Sequence, residues 1–137
     1  VAILERKQVG PRIHQWTSER GSMRAEVQRA NILVFRPSGH LETEFVELFK
    51  QVVDEGMKHG APHVFWDGET MTGYDSEFRQ RIGQYCVSVK NRVSSMNVYT
   101  PNPFVAMGAA VVNVWLGGFF NISKTREDFE RVLAAVR

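Results

Sequence analysis

The chain has 137 residues, a formal net charge of +2, 43% hydrophobic and 23% charged residues, and a single cysteine. That length suits one domain with a core that holds without staples. Two excess positive charges make no strong case for nucleic-acid or membrane binding, and no nucleic-acid partner is expected. The lone Cys86 excludes an internal disulfide and fits a reducing compartment.

At the amino terminus Val1-Ala2-Ile3-Leu4 is followed at once by Glu5-Arg6-Lys7, so no apolar signal core is visible and a cytoplasmic location is expected. Arg12 to Ser18 reads as a strand, with Ile13, Gln15 and Thr17 on one face and His14 and Trp16 on the other. Glu19-Arg20-Gly21-Ser22 reads as a hairpin turn. Met23, Ala25 and Val27 then alternate with Arg24, Glu26 and Gln28, the period of a half-buried strand. Asn31 to Arg36 holds the short run Ile32-Leu33-Val34-Phe35, expected of a strand covered on both faces. Pro37-Ser38-Gly39 is expected to end it.

The period then changes. Phe45, Val46, Phe49, Val52, Val53 and Met57 mark one face of a helix from about Glu42 to His59, stopped by Gly60-Ala61-Pro62. Val64-Phe65-Trp66 is a buried strand ending at Asp67-Gly68. A second helix starts near Asp75, with Phe78, Ile82, Tyr85, Cys86 and Val89 as its stripe. Val93 to Tyr99 is a strand, Phe104 to Leu116 a third helix stopped by Gly117-Gly118, and Phe119 to Ile122 a last strand. Thr125 caps a final helix with Phe129, Val132, Leu133 and Val136 as its stripe. The expectation is a single α/β domain over residues 1–137, with a mixed sheet in the order βββαβαβαβα. The longest apolar run, Phe104 to Phe120, is broken by Asn113 and glycines. It falls short of the roughly 20 apolar residues of a membrane span.

Ligands of open α/β sheets meet the carboxyl ends of parallel strands. Here the longest and most polar such segment runs from Asp67 to Glu77, with carboxylates at Asp67, Glu69, Asp75 and Glu77, leading into a helix start. Asp75 or Ser76 suits an N-cap, Glu77 complements the helix dipole, and Gly73 suits a tight turn. Asp67 and Asp75 permit Mg²⁺ binding without specifying it.

Catalytic readings find little support. No histidine pair has metal-ligand spacing. His40 and His59 read as loop and helix-end positions, and His63 falls at the wrong end of its strand. Cys86 lies in an apolar stripe, as an inert core thiol does. There is no phosphate-binding glycine loop. Lys90, Arg92 and Lys124 are scattered, without interleaved stacking aromatics. No enzyme activity, cofactor or resident metal is expected. The third helix is apolar on nearly every side, which implies cover on all sides between sheet and neighbours. Its functional alternatives are a partner surface, a homodimer contact or the wall of an apolar pocket, with Trp66, Trp115, Phe104, Phe119 and Phe120 available as lining.

The element order, Phe65-Trp66-Asp67 at a strand end and Tyr74-Asp75-Ser76 at a helix start together resemble the STAS domain over roughly Asn31 to Arg137. The resemblance is to its SpoIIAA-like branch, which is also compared with the lipid-binding CRAL-TRIO fold. The family pattern is an apolar residue followed by Asp-Ser-Ser-Gly, whose second serine is phosphorylated by a kinase partner. Asp75 and Ser76 match the first two of these, Glu77 stands at the phosphorylated position, and Phe78 replaces the glycine. The resemblance implies a non-enzymatic regulatory domain. It would bind a protein partner through the 73–77 turn, with Asp67 and Asn102 alongside, and without a conventional phosphoserine switch. The resemblance leaves Ser76 open as a substitute acceptor, at a helix N-terminus that would favour phosphate but with Asp75 and Glu77 opposing the added charge. The alternative is a carrier or sensor of a small apolar, lipid-like ligand.

Overall fold

The computed structural model describes residues 5–10, 12–29 and 31–137. Residues 1–4, where the amino-terminal reading begins, lie outside them. The strands are β1 (Glu5–Gly10), β2 (Ile13–Thr17), β3 (Gly21–Arg29) and β4 (Ile32–Leu41), then β5 (His63–Asp67), β6 (Thr70–Tyr74), β7 (Ser95–Tyr99) and β8 (Phe120–Ser123). The helices are α1 (Phe45–Met57), α2 (Ser76–Val89), α3 (Pro103–Trp115) and α4 (Arg126–Val136), with a 3₁₀ turn at Lys90–Arg92. One mixed sheet runs in the order β1-β2-β3-β4-β5-β7-β8, and β6 adds to β4. The first four strands pair antiparallel and the rest parallel.

Strand alternation divides the core. Leu33 and Phe35 of β4 and Val64 of β5 point to the face covered by α1, α2 and α3. Ile32 and Val34, with Phe65 and Tyr99, point to the other face, where Phe129 and Leu133 of α4 are fully buried. The run Ile32 to Phe35 is therefore covered on both sides, as its composition implies.

Two strands depart from the expected order. Glu5 to Gly10 has no apolar alternation, yet it pairs with β2. The segment after Asp67 is not a loop: Thr70 to Tyr74 is the strand β6. It follows the same edge of β4 as β5 does. Trp66 lies opposite Phe35 and Thr70 opposite Ser38, so four steps on one chain match three on the other. β5 and β6 are in effect one strand with a jog at Gly68-Glu69.

That jog also explains why Pro37 does not end β4. Proline lacks the N–H that a ladder needs. Pro37 falls between the stretch paired with β5, which ends at Phe35, and the stretch paired with β6, which begins at Ser38. Gly39 has φ of 72° and lies so close to Arg20 that a Cβ would sit 2.6 Å from that carbonyl oxygen. The strand thus bends past the proline and places His40 inside β4, not in a loop.

Candidate functional site

Asp75 occupies the N-cap position of α2 with extended φ and ψ (−65° and 144°), but its carboxylate caps nothing. Oδ1 lies 2.8 Å from His40 Nε2 and 3.7 Å from an Arg20 guanidinium nitrogen. Oδ2 accepts the Thr43 amide N–H at 3.1 Å, while the Asp75 amide donates to the Leu41 carbonyl at 3.0 Å. The side chain expected to start a helix instead ties the turn back to the end of β4. The hydrogen bond from His40, helped by the Thr43 amide and the Arg20 charge, holds the Asp75 carboxyl below its ordinary value. Gly73 lets the imidazole close in, since a Cβ there would meet His40 Nδ1 at 3.2 Å.

Around this anchor, Ser76 and Glu77 are exposed, and Glu77 pairs with Arg81 at 3.0 Å. Tyr74 points toward α3. Its ring stacks on Phe104 (centroids 5.1 Å apart, planes 22° apart). A Cβ on Gly108 would meet the Tyr74 hydroxyl at 2.2 Å, so only glycine admits that contact. Asn102 is a structural cap: its Oδ1 accepts the Phe104 and Val105 amides at 3.0 and 3.1 Å, with Pro103 opening the helix.

Asp67 belongs to a different place. Because β5 alternates, it shares the α4 face with Phe65, while Trp66 faces α1 and α2. Its carboxylate is buried and takes a bidentate pair from Arg126, both bonds at 3.0 Å, together with an Arg36 guanidinium. Arg36 reaches on to Glu26 at 2.8 Å and Arg126 to Glu130 at 2.9 Å. Burial alone would raise the Asp67 carboxyl; Arg126, the Glu69 amide and Arg36 outweigh it and hold it low. Asp67 and Asp75 are thus each committed to cations of their own. Among the described residues no group of three His, Cys, Asp or Glu is placed to hold a metal ion.

Between the sheet, α1, α2 and α3 lies an apolar cavity of about 80 Å³, lined by Phe49, Trp66, Phe78, Met96, Val112 and Phe120 among others. Of the aromatic residues expected there, Trp66 and Phe120 contribute. Phe104, Trp115 and Phe119 do not line it. Phe104 lies over Tyr74, and Trp115 lies over Gly83, where a Cβ would be 2.6 Å from its ring. Phe119 packs on the edge of the main core. Cys86 also borders the cavity, where burial pushes its thiol up to about 12. Arg79 joins this apolar wall from α2, and its Nε is buried with no hydrogen-bond partner. An unmet charged donor of this kind carries a desolvation cost of about 1–3 kcal/mol or more.

The third helix is not covered on all sides. Val105, Gly108 and Val112 face inward, while Phe104, Met107, Val114 and Trp115 are 50%, 59%, 78% and 44% exposed. Spacings of three, seven and one residue place these four on one outward stripe. A helix apolar all round needs cover, but its sequence does not say whether the cover is its own chain. Sequence reasoning missed Met107, Val114, Arg79 and His40. The alternation of small inward residues (Gly108, Ala109) with large outward ones was the one available signal.

No protein-family model matches the sequence, and no curated protein matches it significantly. Solved structures do resemble the fold. The anti-sigma factor antagonist SpoIIAA in its unphosphorylated form superposes with a TM-score of 0.61 at 18% identity, over 82% of this chain and 96% of that one. The chain has a SpoIIAA-like fold. The phosphorylated form of the Bacillus cell fate determinant SpoIIAA gives 0.58 at 19% identity, over 80% and 98% of the two chains. A DUF3478-family protein with a SpoIIAA-like fold, from Shewanella loihica PV-4, gives 0.58 at 12% identity and covers 97% of this chain and 92% of its own. The STAS resemblance read from Tyr74-Asp75-Ser76 and the element order therefore holds at the level of fold. No helix among the described residues is long and apolar enough to cross a membrane.

Proposed function

We propose that this chain is a non-enzymatic, cytoplasmic, SpoIIAA-like regulatory domain that docks a protein partner on the surface formed by the 73–77 turn and the outer stripe of α3. The observation that carries this is the exposure of Phe104, Met107, Val114 and Trp115, joined to the turn by the Tyr74–Phe104 stack. Exposed aromatic and methionine side chains in one helical stripe are the anchors by which a helix fills a partner's groove. The His40–Asp75 tie fixes the turn against β4, so the turn presents Ser76 and Glu77 without needing to order on binding. Glu77 supplies permanent negative charge where the family pattern has its acceptor serine, so binding here is constitutive rather than released by phosphorylation.

The test is quantitative co-purification from the native host with the wild type, Tyr74→Ala, Glu77→Lys and Trp115→Arg. A protein retained by the wild type and lost with Trp115→Arg and Tyr74→Ala is the expected result. Retention of the same partners by all three variants contradicts the assignment. A homodimer through the same stripe is read out by sedimentation of the wild type against Trp115→Arg.

The apolar cavity favours a second, compatible role, binding of a small apolar molecule between α2, α3 and the sheet.

A further inference from the structure

Beside the apolar stripe of α3, helix α2 carries cations that no carboxylate answers. From Ser76 to Arg92 the sequence holds one acid, Glu77, against Arg79, Arg81, Lys90 and Arg92. Glu77 is taken by Arg81 at 3.0 Å. Among the described residues Arg79 pairs with no acid, and Lys90 Nζ donates only to the Leu116 carbonyl at 3.3 Å, which leaves two of its three donors. On the opposite face of the sheet both α4 arginines are met by carboxylates, Arg126 by Asp67 and Glu130, and Arg131 by Glu127 and Asp128.

Helix geometry puts the two cations in a row. Arg79 and Lys90 are eleven residues apart, so they lie on one face of α2, roughly 16 Å apart along its axis. Between them is Gly83, where Trp115 of α3 packs so close that a Cβ would be 2.6 Å from its ring. Trp115 is therefore bracketed by cations. Arg79 and Trp115 also share an outer concavity with Ser76, Glu77 and Gln80. Only Nε of Arg79 is sealed from solvent; the terminal guanidinium nitrogens are not.

Resting on docking at the α3 stripe, we infer that the partner element is an acidic amphipathic helix lying along the groove between α2 and α3. Its apolar side chains meet Met107, Val114 and Trp115, and its carboxylates meet the terminal nitrogens of Arg79 and the ammonium of Lys90. On that helix the two carboxylates stand about eleven residues apart, matching the row. Charge disfavours the other occupants. A second copy brings the same uncharged α3 and the same surplus of cations, so like meets like. An anionic membrane is held by clusters of about 4–8 basic residues, more than this face offers.

Three synthetic helical peptides of about 18 residues, sharing one leucine stripe, test the charge directly. They carry Glu, Gln or Lys at two positions eleven residues apart. Binding is read from the Met107 methyl and Trp115 indole NMR signals, with buried Met71 and Met96 as internal controls. The expected result is that the Glu peptide shifts Met107 and Trp115 but not Met71 or Met96. It should bind more tightly than the Gln peptide by about threefold for each ion pair, the range of exposed pairs, and the Lys peptide should bind most weakly. Arg79→Gln and Lys90→Gln each remove about one such factor and leave the Gln peptide unchanged, which shows the surface intact. Equal binding of the three peptides, or a preference that survives both substitutions, overturns the acidic partner and leaves docking on α3 in place. No shift of Met107 or Trp115 with any peptide overturns both. Shifts that grow with protein concentration alone assign the stripe to a second copy, and shifts with phosphatidylserine vesicles but no peptide assign it to a membrane; either overturns the inference.

Discussion

Helices α3 and α4 sit on opposite faces of one sheet and solve the problem of an outer surface in opposite ways. Helix α4 buries Phe129 and Leu133 and turns Glu127, Asp128, Glu130 and Arg131 outward, laced by pairs such as Arg131–Glu127 and Arg131–Asp128. Helix α3 has no charged residue, and it turns Phe104, Met107, Val114 and Trp115 outward. Both helices have proper caps and both bury an inner stripe, so folding alone explains α4 completely. It does not explain the outside of α3. The comparison separates a helix whose outer face is charged and paired from one whose outer face is apolar and exposed.

The sharpest way to break this comparison is in the core under α4. Leu133→Ala is expected to cost about 2–5 kcal/mol, the range for a fully buried leucine, read as a lowered urea midpoint. Partner binding on the α3 side should survive at temperatures where the variant stays folded. Next comes Asp67→Asn, which leaves Arg36 and Arg126 without their shared carboxylate. Full burial of such a pair would cost about 3–5 kcal/mol; both arginines are about one-third exposed (31% and 38%), so about 1–3 kcal/mol is expected.

The same carboxylates give a pH signature. Asp67 and Asp75 are both held below their ordinary values in the folded state. Their contribution is fully present above the unfolded carboxyl value, near 4, and is lost as pH falls through the depressed folded values. Urea midpoints measured from pH 7 down to about 2.5 should therefore fall more steeply for the wild type than for Asp67→Asn. A smaller effect, about 1 kcal/mol, is expected for Asp75→Asn, whose carboxylate is partly exposed. Smallest of all is Val114→Lys. It should change stability by no more than about 0.5 kcal/mol, as surface substitutions do, yet abolish partner capture.

Much of the fold was legible because burial has a period. Met23 and Ala25 alternate as read, the run Ile32 to Phe35 is covered on both faces, and the stripes of α1 and α4 meet the core. Strand β6 escaped because its two inward positions are Met71 and Gly73, leaving a single apolar side chain to signal alternation. The extension of β4 escaped because Pro37 forbids a ladder bond in general but falls where none is made. At the site, Tyr74, Asp75, Ser76 and Glu77 do form one turn. Asp75 was given the wrong partner because His40 lies 35 residues away, out of reach of any local rule. Asp67 was grouped with the turn by sequence proximity, although strand alternation sends it to the α4 face. Arg79 carries no sequence mark that separates it from Arg81, which simply pairs four residues back with Glu77. For α3, an apolar composition shows that a surface must be covered, and only packing shows that this chain leaves half of it bare.

The most direct measurement places a photo-crosslinking amino acid at position 107 on α3, and separately at position 131 on α4, in the protein expressed in its native host. The expected result is one discrete cross-linked protein from position 107, absent from position 131 and lost when Trp115→Arg is added. Cross-linking of equal extent from both positions, or a product at 107 that persists with Trp115→Arg, would contradict docking on α3.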